Sequence, residues 1–369
     1  MPDRPSRTRS PAFTTTALLI ASVLTAVGGA QDIVWRDLSK LPVEGRGWSD
    51  VASPFDRLPA RAEKLVRKPV WGLSRESAGI AVRFATNAPQ IHVRWTLRGK
   101  ELDMPHMPAS GVSGMDLYLQ TKTGLRWVTN ARPGKQKAQV RLVDDLERTP
   151  RTWMLYFPLY NGVTSAEIGI PDGCNLSPAP SRISGHTQPV VFYGTSITQG
   201  ACASRPGMAH VAILGRRLDR PVINLGFSGN GKLEMPLADL MSELDAAVYV
   251  LDCLPNLRPR EVTARAAPFV RKLRAARPNT PIVLVEDRTY QDAHVNGRRL
   301  QRNHGNRAAL KAAYEALCKA GVKGLHYVEG KGLLGDDGEA TVDGSHPTDL
   351  GFMRQADVLE KALRTALKR

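Results

Sequence analysis

Four short segments carry residue types that together could hydrolyse an ester. Ser196 follows an apolar run, glycines fill residues 224–231, Asn256 follows a third apolar run, and Asp343 stands three residues before His346. A serine hydroxyl can attack a carbonyl carbon, and a histidine oriented by a carboxylate can take the serine proton. Backbone N–H groups beside glycines and an asparagine amide can stabilise the oxyanion that forms. The combination predicts a nucleophile, a general base and oxyanion donors.

Each segment alone also has a purely structural interpretation. Ser196 could cap a helix, and the glycines of residues 224–231 could form a tight turn. The serine segment does not match the GxSxG elbow of α/β-hydrolases, because Thr198 occupies the position of the last glycine. A lone Asp-x-x-His pair is weak support for catalysis. The catalytic interpretation therefore depends on all four segments meeting in one place.

Residues 187–369 are predicted to bring them together in a flavodoxin-like domain with five parallel strands. Continuous apolar runs alternate with amphipathic stretches, which indicates strands joined by right-handed helical crossovers, with helices on both faces. The expected strands are 189–193, 221–225, 246–251, 281–285 and 324–328, and the expected helices are 207–218, 233–243, 261–276, 299–320 and 349–368. Ligands bind beyond the carboxyl ends of such strands. The Ser196, glycine-rich and Asn256 segments each follow one of the first three.

Residues 31–186 are predicted to form a separate antiparallel β-sandwich, with a jelly roll favoured over an immunoglobulin-like arrangement. Short alternating runs recur between turns rich in Gly, Pro, Asn and Asp, which is typical of sandwiches. The expected strands are 79–84, 90–97, 115–120, 125–130, 138–143, 152–157 and 165–170.

The segments resemble the SGNH hydrolase superfamily, also known as GDSL lipases and esterases. Ser196, Gly229, Asn256 and His346 match the residues that name the superfamily, with Asp343 as the acid of the triad. The resemblance implies that Ser196 is the nucleophile and that the N–H groups of Ser196 and Gly229 form the oxyanion hole with the Asn256 side chain. It implies no metal or organic cofactor. The usual Asp after the first glycine is replaced by Thr195, and the usual Gly-Gly before the asparagine by residues 254–255, Leu-Pro.

The sequence is more closely similar to one bacterial subgroup of these esterases. Residues 193–200, 202–208, 224–231 and 251–256 match the subgroup's blocks, and residues 114–118 match the GxDLY signature of its N-terminal sandwich. The subgroup thus accounts for both predicted domains.

The N-terminus predicts a secreted or periplasmic protein. Three arginines precede an apolar run and small residues ending at Ala30, the pattern of a signal peptide, so residues 1–30 are expected to be removed, leaving no membrane span. The chain has 51 Lys+Arg against 35 Asp+Glu, a net charge of +16. The basic residues recur along helical stretches, which favours solvated helix faces over a nucleic-acid site.

Three further residues are proposed to bind substrate: Arg205, Glu286 and Arg288. Glu286 and Arg288 follow the fourth apolar run and could line the cleft, with a solvated loop as the alternative. Arg205 lies in one of the subgroup's blocks and could instead fix a loop. Four cysteines allow three disulfide pairings, and Cys202 and Cys253 are a candidate pair because they follow neighbouring strands.

Together these observations predict a secreted serine esterase that removes acyl groups, acetyl above all, from a small molecule or polysaccharide. Secretion and a lectin-like sandwich suggest carbohydrate substrates by analogy. The alternatives are an acyltransferase with the same triad and a catalytically inactive carbohydrate-binding protein.

Overall fold

The computed structural model describes Asp32–Lys368 of the 369-residue chain. The predicted signal peptide, residues 1–30, lies outside the described residues. The described chain forms two antiparallel sheets followed by one parallel sheet. The predicted fold class, a sandwich followed by a parallel five-stranded domain, is confirmed.

The two antiparallel sheets pack face to face across one hydrophobic cluster. Their strands are β1 (Ile33–Asp37), β2 (Val43–Glu44), β3 (Ala81–Thr86), β4 (Ile91–Leu97), β5 (Met115–Thr121), β6 (Gly124–Ala131), β7 (Lys137–Val143), β8 (Arg151–Tyr156), β9 (Val163–Pro171) and β10 (Leu176–Pro178). One sheet has the order β1-β9-β4-β7, and the other has the order β10-β3-β8-β5-β6, with β2 beside β3. In β4 every second residue is buried, because successive side chains of a strand point to opposite faces.

The parallel sheet has the strand order β12-β11-β13-β14-β15, the order of flavodoxin-like folds. Its strands are β11 (Val190–Gly194), β12 (Val222–Gly226), β13 (Val248–Asp252), β14 (Ile282–Val285) and β15 (Leu325–Val328). Every residue of the first four of these strands is buried, since helices cover both faces of the sheet.

The helices are α1 (Lys68–Ser74), α2 (Ala109–Val112), α3 (Ser196–Gln199), α4 (His210–Arg217), α5 (Met235–Ser242), α6 (Pro259–Ala276), α7 (Gly297–Lys319) and α8 (Asp349–Ala366). Helices α5, α6 and α7 contribute to the hydrophobic cluster on one face of the parallel sheet, and α4 and α8 to the cluster on the other. Helix α4 begins three residues later than predicted because Pro206–Met208 forms a 3-10 turn. Among the described helices, none has the length and apolar character to cross a membrane.

The sandwich and the parallel sheet also pack against each other. Leu58 and Val70, which precede most of the sandwich, lie in the cluster that contains α5 and α6. Tyr118 and Tyr156 of the sandwich pack with Ala212 of α4. From Ile33 onward the chain forms one compact unit. Residue 186 separates antiparallel from parallel strands along the chain, and its role as a boundary between folding units stays a prediction.

Candidate active site

Ser196 is the first residue of α3, a four-residue helix that follows β11. Thr195 is the N-cap, and its hydroxyl accepts a hydrogen bond from N of Ile197 at 3.3 Å. The turn is tight: a Cβ on Gly194 would lie 2.0 Å from Oγ1 of Thr198, so only glycine fits there. The capping role that one interpretation gave to Ser196 is thus performed by Thr195, and the Ser196 hydroxyl is available to another partner.

That partner is His346. Oγ of Ser196 lies 2.8 Å from Nε2 of His346, and Nδ1 of the same ring lies 2.7 Å from Oδ2 of Asp343. The other carboxylate oxygen accepts hydrogen bonds from N of Ser345 at 2.9 Å and from N of His346 at 2.8 Å. Partial burial alone would raise the pKa of Asp343, but these hydrogen bonds outweigh it and lower that pKa. An ionised Asp343 fixes Nδ1 as a donor, which leaves Nε2 to accept a proton from Ser196.

Gly229 lies on the loop that follows β12, beside the Ser196 turn. N of Phe227 donates to the carbonyl oxygen of Gly194 at 3.0 Å and fixes the start of this loop against β11. Gly229 has a φ of +67°, a conformation that favours glycine. The loop therefore uses a glycine where the backbone is left-handed and where an N–H donor is expected.

Asn256 ends the short 3-10 helix Leu254–Asn256, which follows β13. The side-chain amide makes hydrogen bonds in the orientation that turns Oδ1 toward the glycine loop. There Oδ1 accepts hydrogen bonds from N of Asn230 at 3.0 Å and from N of Gly231 at 3.1 Å. In this orientation Nδ2 is the donor side of the amide. Asn256 lines the cavity beside Ser196, and its role as an oxyanion donor stays a prediction.

The cavity beside Ser196 has a volume of about 440 Å³. Ser196, Asn256 and His346 line it, together with Ile197, Pro255, Tyr290, Ser345, Arg298, Arg299 and Arg302. Within Asp32–Lys368, no three His, Cys, Asp or Glu side chains form a cluster that could hold a metal ion. The arrangement supplies the groups for acyl transfer through a serine nucleophile.

Comparison with known proteins places this geometry in a family. Residues 187–364 match the model of the GDSL-like lipase/acylhydrolase family, and residues 33–176 match GxDLY, the N-terminal region of SGNH hydrolase-type esterases. A candidate GDSL-like lipase from Bacteroides ovatus is 33% identical, with a TM-score of 0.87 over 91% of this chain and 98% of that one. The chain belongs to the GDSL-like lipase/acylhydrolase family.

Two more distant structures share the fold of this GDSL-like protein. The salicylyl-acyltransferase SsfX3 from a tetracycline biosynthetic pathway is 18% identical, with a TM-score of 0.73 over 90% of this chain and 97% of its own. A family two carbohydrate esterase from Cellvibrio japonicus is 14% identical, with a TM-score of 0.57 over 92% and 99%. No curated protein sequence matches the chain significantly.

The two departures from the SGNH pattern have structural roles in this GDSL-like protein. Thr195 replaces the usual aspartate and caps α3 through its hydroxyl. Pro255 lines the cavity, and its carbonyl oxygen accepts a hydrogen bond from Arg302. Neither replacement interrupts the contact between Ser196 and His346.

Arg205 does not line the cavity; it joins the hydrolase half to the sandwich. Its Nη1 lies 2.7 Å from Oδ2 of Asp116 and 2.7 Å from the Tyr118 hydroxyl, and its guanidinium stacks on Trp127 at 4.8 Å. Asp116 also accepts from N of Gly207 at 2.9 Å. The GxDLY signature thus binds the block at residues 202–208, which fits the alternative that Arg205 fixes a loop. A substrate-binding role for Arg205 stays a prediction.

Glu286 and Arg288 also lie outside the lining of the cavity. Arg288 is 2% exposed and forms a bidentate ion pair with fully buried Asp252, with Nη1 3.0 Å from Oδ1. Glu286 accepts from the Tyr327 hydroxyl and from N of Gly330, both at 2.7 Å. Both side chains connect the ends of neighbouring strands beneath the site, and a substrate-binding role for them stays a prediction.

Polar residues from the sandwich side support the α3 turn and the glycine loop. Oε1 of Gln199 accepts from N of Ser228 at 3.0 Å, and its Nε2 donates to Glu76. The Tyr160 hydroxyl donates to the carbonyl oxygen of Ser196 at 3.3 Å, and Arg57 donates to that of Gly226 at 2.7 Å. Burial raises the pKa of Glu76 to about 7 and lowers that of Arg57 to about 10. Gln199 lies in a recognised motif, but nothing in the sequence connects it to residue 76.

Sequence reasoning also missed one side of the cavity wall. Tyr290, Arg298 and Arg302 come from the loop after β14 and the start of α7. His106, on a sandwich loop, places its ring 6.4 Å from that of His346, centroid to centroid. For Tyr290 the sequence did offer a signal, its position after the fourth strand. Arg298, Arg302 and His106 are brought to the site by long-range packing.

All four cysteines are free thiols, so the candidate pair Cys202–Cys253 is not formed. Cys253 packs in the hydrophobic cluster on one face of the parallel sheet and Cys202 in the cluster on the other. Neighbouring strands therefore do not bring the two thiols together. Burial raises the pKa of Cys202 to about 12, which keeps it protonated at neutral pH.

Proposed function

We propose that the protein is a serine esterase that hydrolyses O-acyl esters, in particular O-acetyl groups on carbohydrates. The observation that carries this proposal is the line of contacts from Oγ of Ser196 to Nε2 of His346 at 2.8 Å and from Nδ1 to Asp343 at 2.7 Å, beside an open cavity. This is the geometry that an acyl-enzyme mechanism needs.

The reaction begins when His346 Nε2 takes the proton of Ser196 as Oγ attacks the ester carbonyl carbon. The N–H groups of Ser196 and Gly229 and Nδ2 of Asn256 donate to the resulting oxyanion. The tetrahedral intermediate collapses, the alcohol leaves with the proton from His346, and the acyl group stays on Ser196. Water, deprotonated by His346, then attacks the acyl-enzyme and releases the carboxylic acid, while Asp343 stabilises the imidazolium in both halves.

Carbohydrate esters are the favoured substrates because the family two carbohydrate esterase covers 92% of this chain, sandwich included, with the same fold. The cavity also has polar walls that suit a hydroxylated substrate, and the aromatic side chain of Tyr290 is part of its lining.

The test is a panel of esters, from acetyl to long acyl and from aryl to acetylated oligosaccharide, with Ser196→Ala beside the wild type. Acetylated sugars should be hydrolysed and Ser196→Ala should lose the activity, together with labelling by a fluorophosphonate probe. Near-normal turnover by Ser196→Ala would refute the mechanism. Activity confined to long acyl chains would refute the carbohydrate assignment.

An acyltransferase is the second candidate, favoured by the TM-score of 0.73 to the salicylyl-acyltransferase. Product analysis distinguishes the two: with an added alcohol acceptor, a transferase forms the new ester even at millimolar acceptor, whereas an esterase releases the free acid.

We also propose that the protein is exported and that cleavage follows Ala30. The supporting observation is the basic, apolar and small-residue pattern of residues 1–30. N-terminal sequencing of protein recovered from the periplasm or medium should begin at Gln31, and an intact N-terminus in the cytoplasm would contradict the proposal.

A further inference from the structure

One wall of the cavity beside Ser196 is strongly basic. Arg298, Arg299 and Arg302 line it, whereas no Asp or Glu among the described residues does. All three arginines lie in the first two turns of α7. A neutral acetyl ester on a neutral sugar gives no physical reason for such a wall, since an ester is recognised by hydrogen bonds and packing alone.

The three arginines differ in whether an acidic side chain already pairs with the guanidinium group. Arg299 forms an ion pair with Asp292 at 2.8 Å and stacks on Tyr290 at 4.9 Å. Arg302 donates to the carbonyl oxygens of Pro255 and Leu257, which carry no net charge. Arg298 is exposed and has no ion pair or side-chain hydrogen bond to any residue of the described chain.

Arg302 does have one acidic neighbour. The carboxyl of Asp287 is buried behind it and is shared with Arg288 and Arg307. Burial raises the pKa of Asp287 to about 6, against the opposing effect of Arg288, Arg302 and Arg307. Arg302 thus shares one buried carboxyl with two other arginines, and Arg298 is the member of the wall that has no ion pair within the described chain.

We propose that this wall, Arg298 with Arg302, binds a carboxylate of the substrate, so that the enzyme acts on esters that also carry an acid group. The proposal rests on the esterase function proposed above and narrows its substrate class to anionic esters, such as O-acetylated sugars that contain a uronic acid. Planar guanidinium groups bind carboxylates well because they donate two parallel hydrogen bonds. Without residues 1–30, which hold three Arg and one Asp, the net charge is +16 − 2 = +14, and it also favours the approach of anionic polymers.

The test uses matched pairs of esters that differ only in charge. In the first pair, an O-acetylated methyl glycoside of glucuronic acid carries the charge in its alcohol part, and the corresponding methyl glucoside is its neutral partner. In the second pair, the 4-nitrophenyl monoester of glutarate carries the charge in its acyl part, and 4-nitrophenyl pentanoate is its neutral partner. The wild type should prefer the anionic member of one pair by kcat/KM. Arg298→Gln should lower kcat/KM for that member about 10-fold more than for its neutral partner, and the preference should shrink as salt is added. Arg302→Gln should act in the same direction.

Arg271→Gln is the charge-matched control, because Arg271 is exposed on α6 and outside the cavity. It should leave both members of each pair unaffected. Equal kcat/KM for the charged and neutral esters in the wild type, or equal losses for both in Arg298→Gln, would overturn the proposal while leaving the esterase function standing.

If no ester is hydrolysed, the proposed esterase function is refuted. The cationic subsite can then still be tested by measuring ligand binding. Calorimetry with Ser196→Ala and the two acetylated methyl glycosides should show tighter binding of the glucuronide, lost in Ser196→Ala/Arg298→Gln. Equal binding of the two glycosides would refute the cationic subsite.

Discussion

Replacing Arg205 by alanine should weaken the junction between the sandwich and the hydrolase half. The carboxylate of Asp116 is fully buried and accepts hydrogen bonds from Arg205 at 2.7 Å, from Trp127 Nε1 at 2.7 Å and from N of Gly207 at 2.9 Å. Removing one partner of a buried ion pair costs about 3–5 kcal/mol. Asp116 keeps two donors and the Arg205 side chain is 21% exposed. We therefore expect a loss of about 2–3 kcal/mol of unfolding free energy, at or below the lower limit of that range.

The loss should depend on pH. Burial raises the pKa of Asp116, although Arg205 opposes the rise. An acid whose pKa is raised in the folded protein makes stability fall as pH increases from its unfolded pKa, about 4, through its folded pKa. Removing Arg205 raises the folded pKa further. The difference in stability between wild type and Arg205→Ala should therefore be small near pH 4 and reach its full size at neutral pH.

Urea unfolding at pH 4, 5.5 and 7 measures this difference. Arg141→Ala is the control, because Arg141 pairs with Asp144 at 3.0 Å on an exposed surface and its loss should cost less than about 0.5 kcal/mol at any pH. The variant Asp116→Asn/Arg205→Ala should recover part of the stability at pH 7, since it leaves no buried charge. A loss that is equal at pH 4 and pH 7 would refute the reasoning, as would unchanged stability with a raised KM, which would indicate a substrate contact.

Three further predictions concern the site itself. Asn256→Ala should lower kcat by about 100-fold, or about 3 kcal/mol of barrier, with little change in KM, because Nδ2 acts on the oxyanion; a change in KM alone would contradict this in steady-state assays. Asp343→Asn should lower kcat by about 10⁴-fold at neutral pH because it disturbs the His346 tautomer; a near-normal rate would remove Asp343 from the mechanism. Gln199→Leu should lower kcat about 10-fold by releasing the glycine loop, with fluorophosphonate labelling of Ser196 retained; loss of labelling would place Gln199 in nucleophile activation instead.

Local pattern was sufficient to predict most of the secondary structure. In β4, apolar and polar residues alternate and every second side chain is buried, and β11 is an uninterrupted apolar run with helices on both faces. Helix α1 was missed because it is short and because its buried residue Val70 packs against the helices of the hydrolase half. That information is long-range and is absent from the spacing of nearby residues.

Position after a strand predicted where chemistry could occur, but not which side chains face it. Ser196 and Asn256 follow β11 and β13 and line the cavity. Arg288 follows β14 in the same way, yet its guanidinium lies inward on the buried carboxylate of Asp252. An unpaired charge in the protein interior costs much free energy, so the buried carboxylate of Asp252 requires a cationic partner. No comparable free energy requires Arg288 to line the cavity. The sequence rule cannot distinguish these two demands, since both occur at the ends of strands.

The position of the nucleophile depends on the whole chain rather than on the hydrolase half alone. A four-residue helix such as α3 has little stability of its own, because helix nucleation is unfavourable. It is fixed by tertiary contacts: Thr198 donates to Asp252 at 3.3 Å, the Tyr160 hydroxyl donates to the carbonyl oxygen of Ser196 at 3.3 Å, and Gln199 donates to that of Leu159 at 3.2 Å. Two of these three anchors come from the sandwich side. The sandwich is therefore a structural part of the site that holds Ser196, in addition to any role it has in binding a polymer.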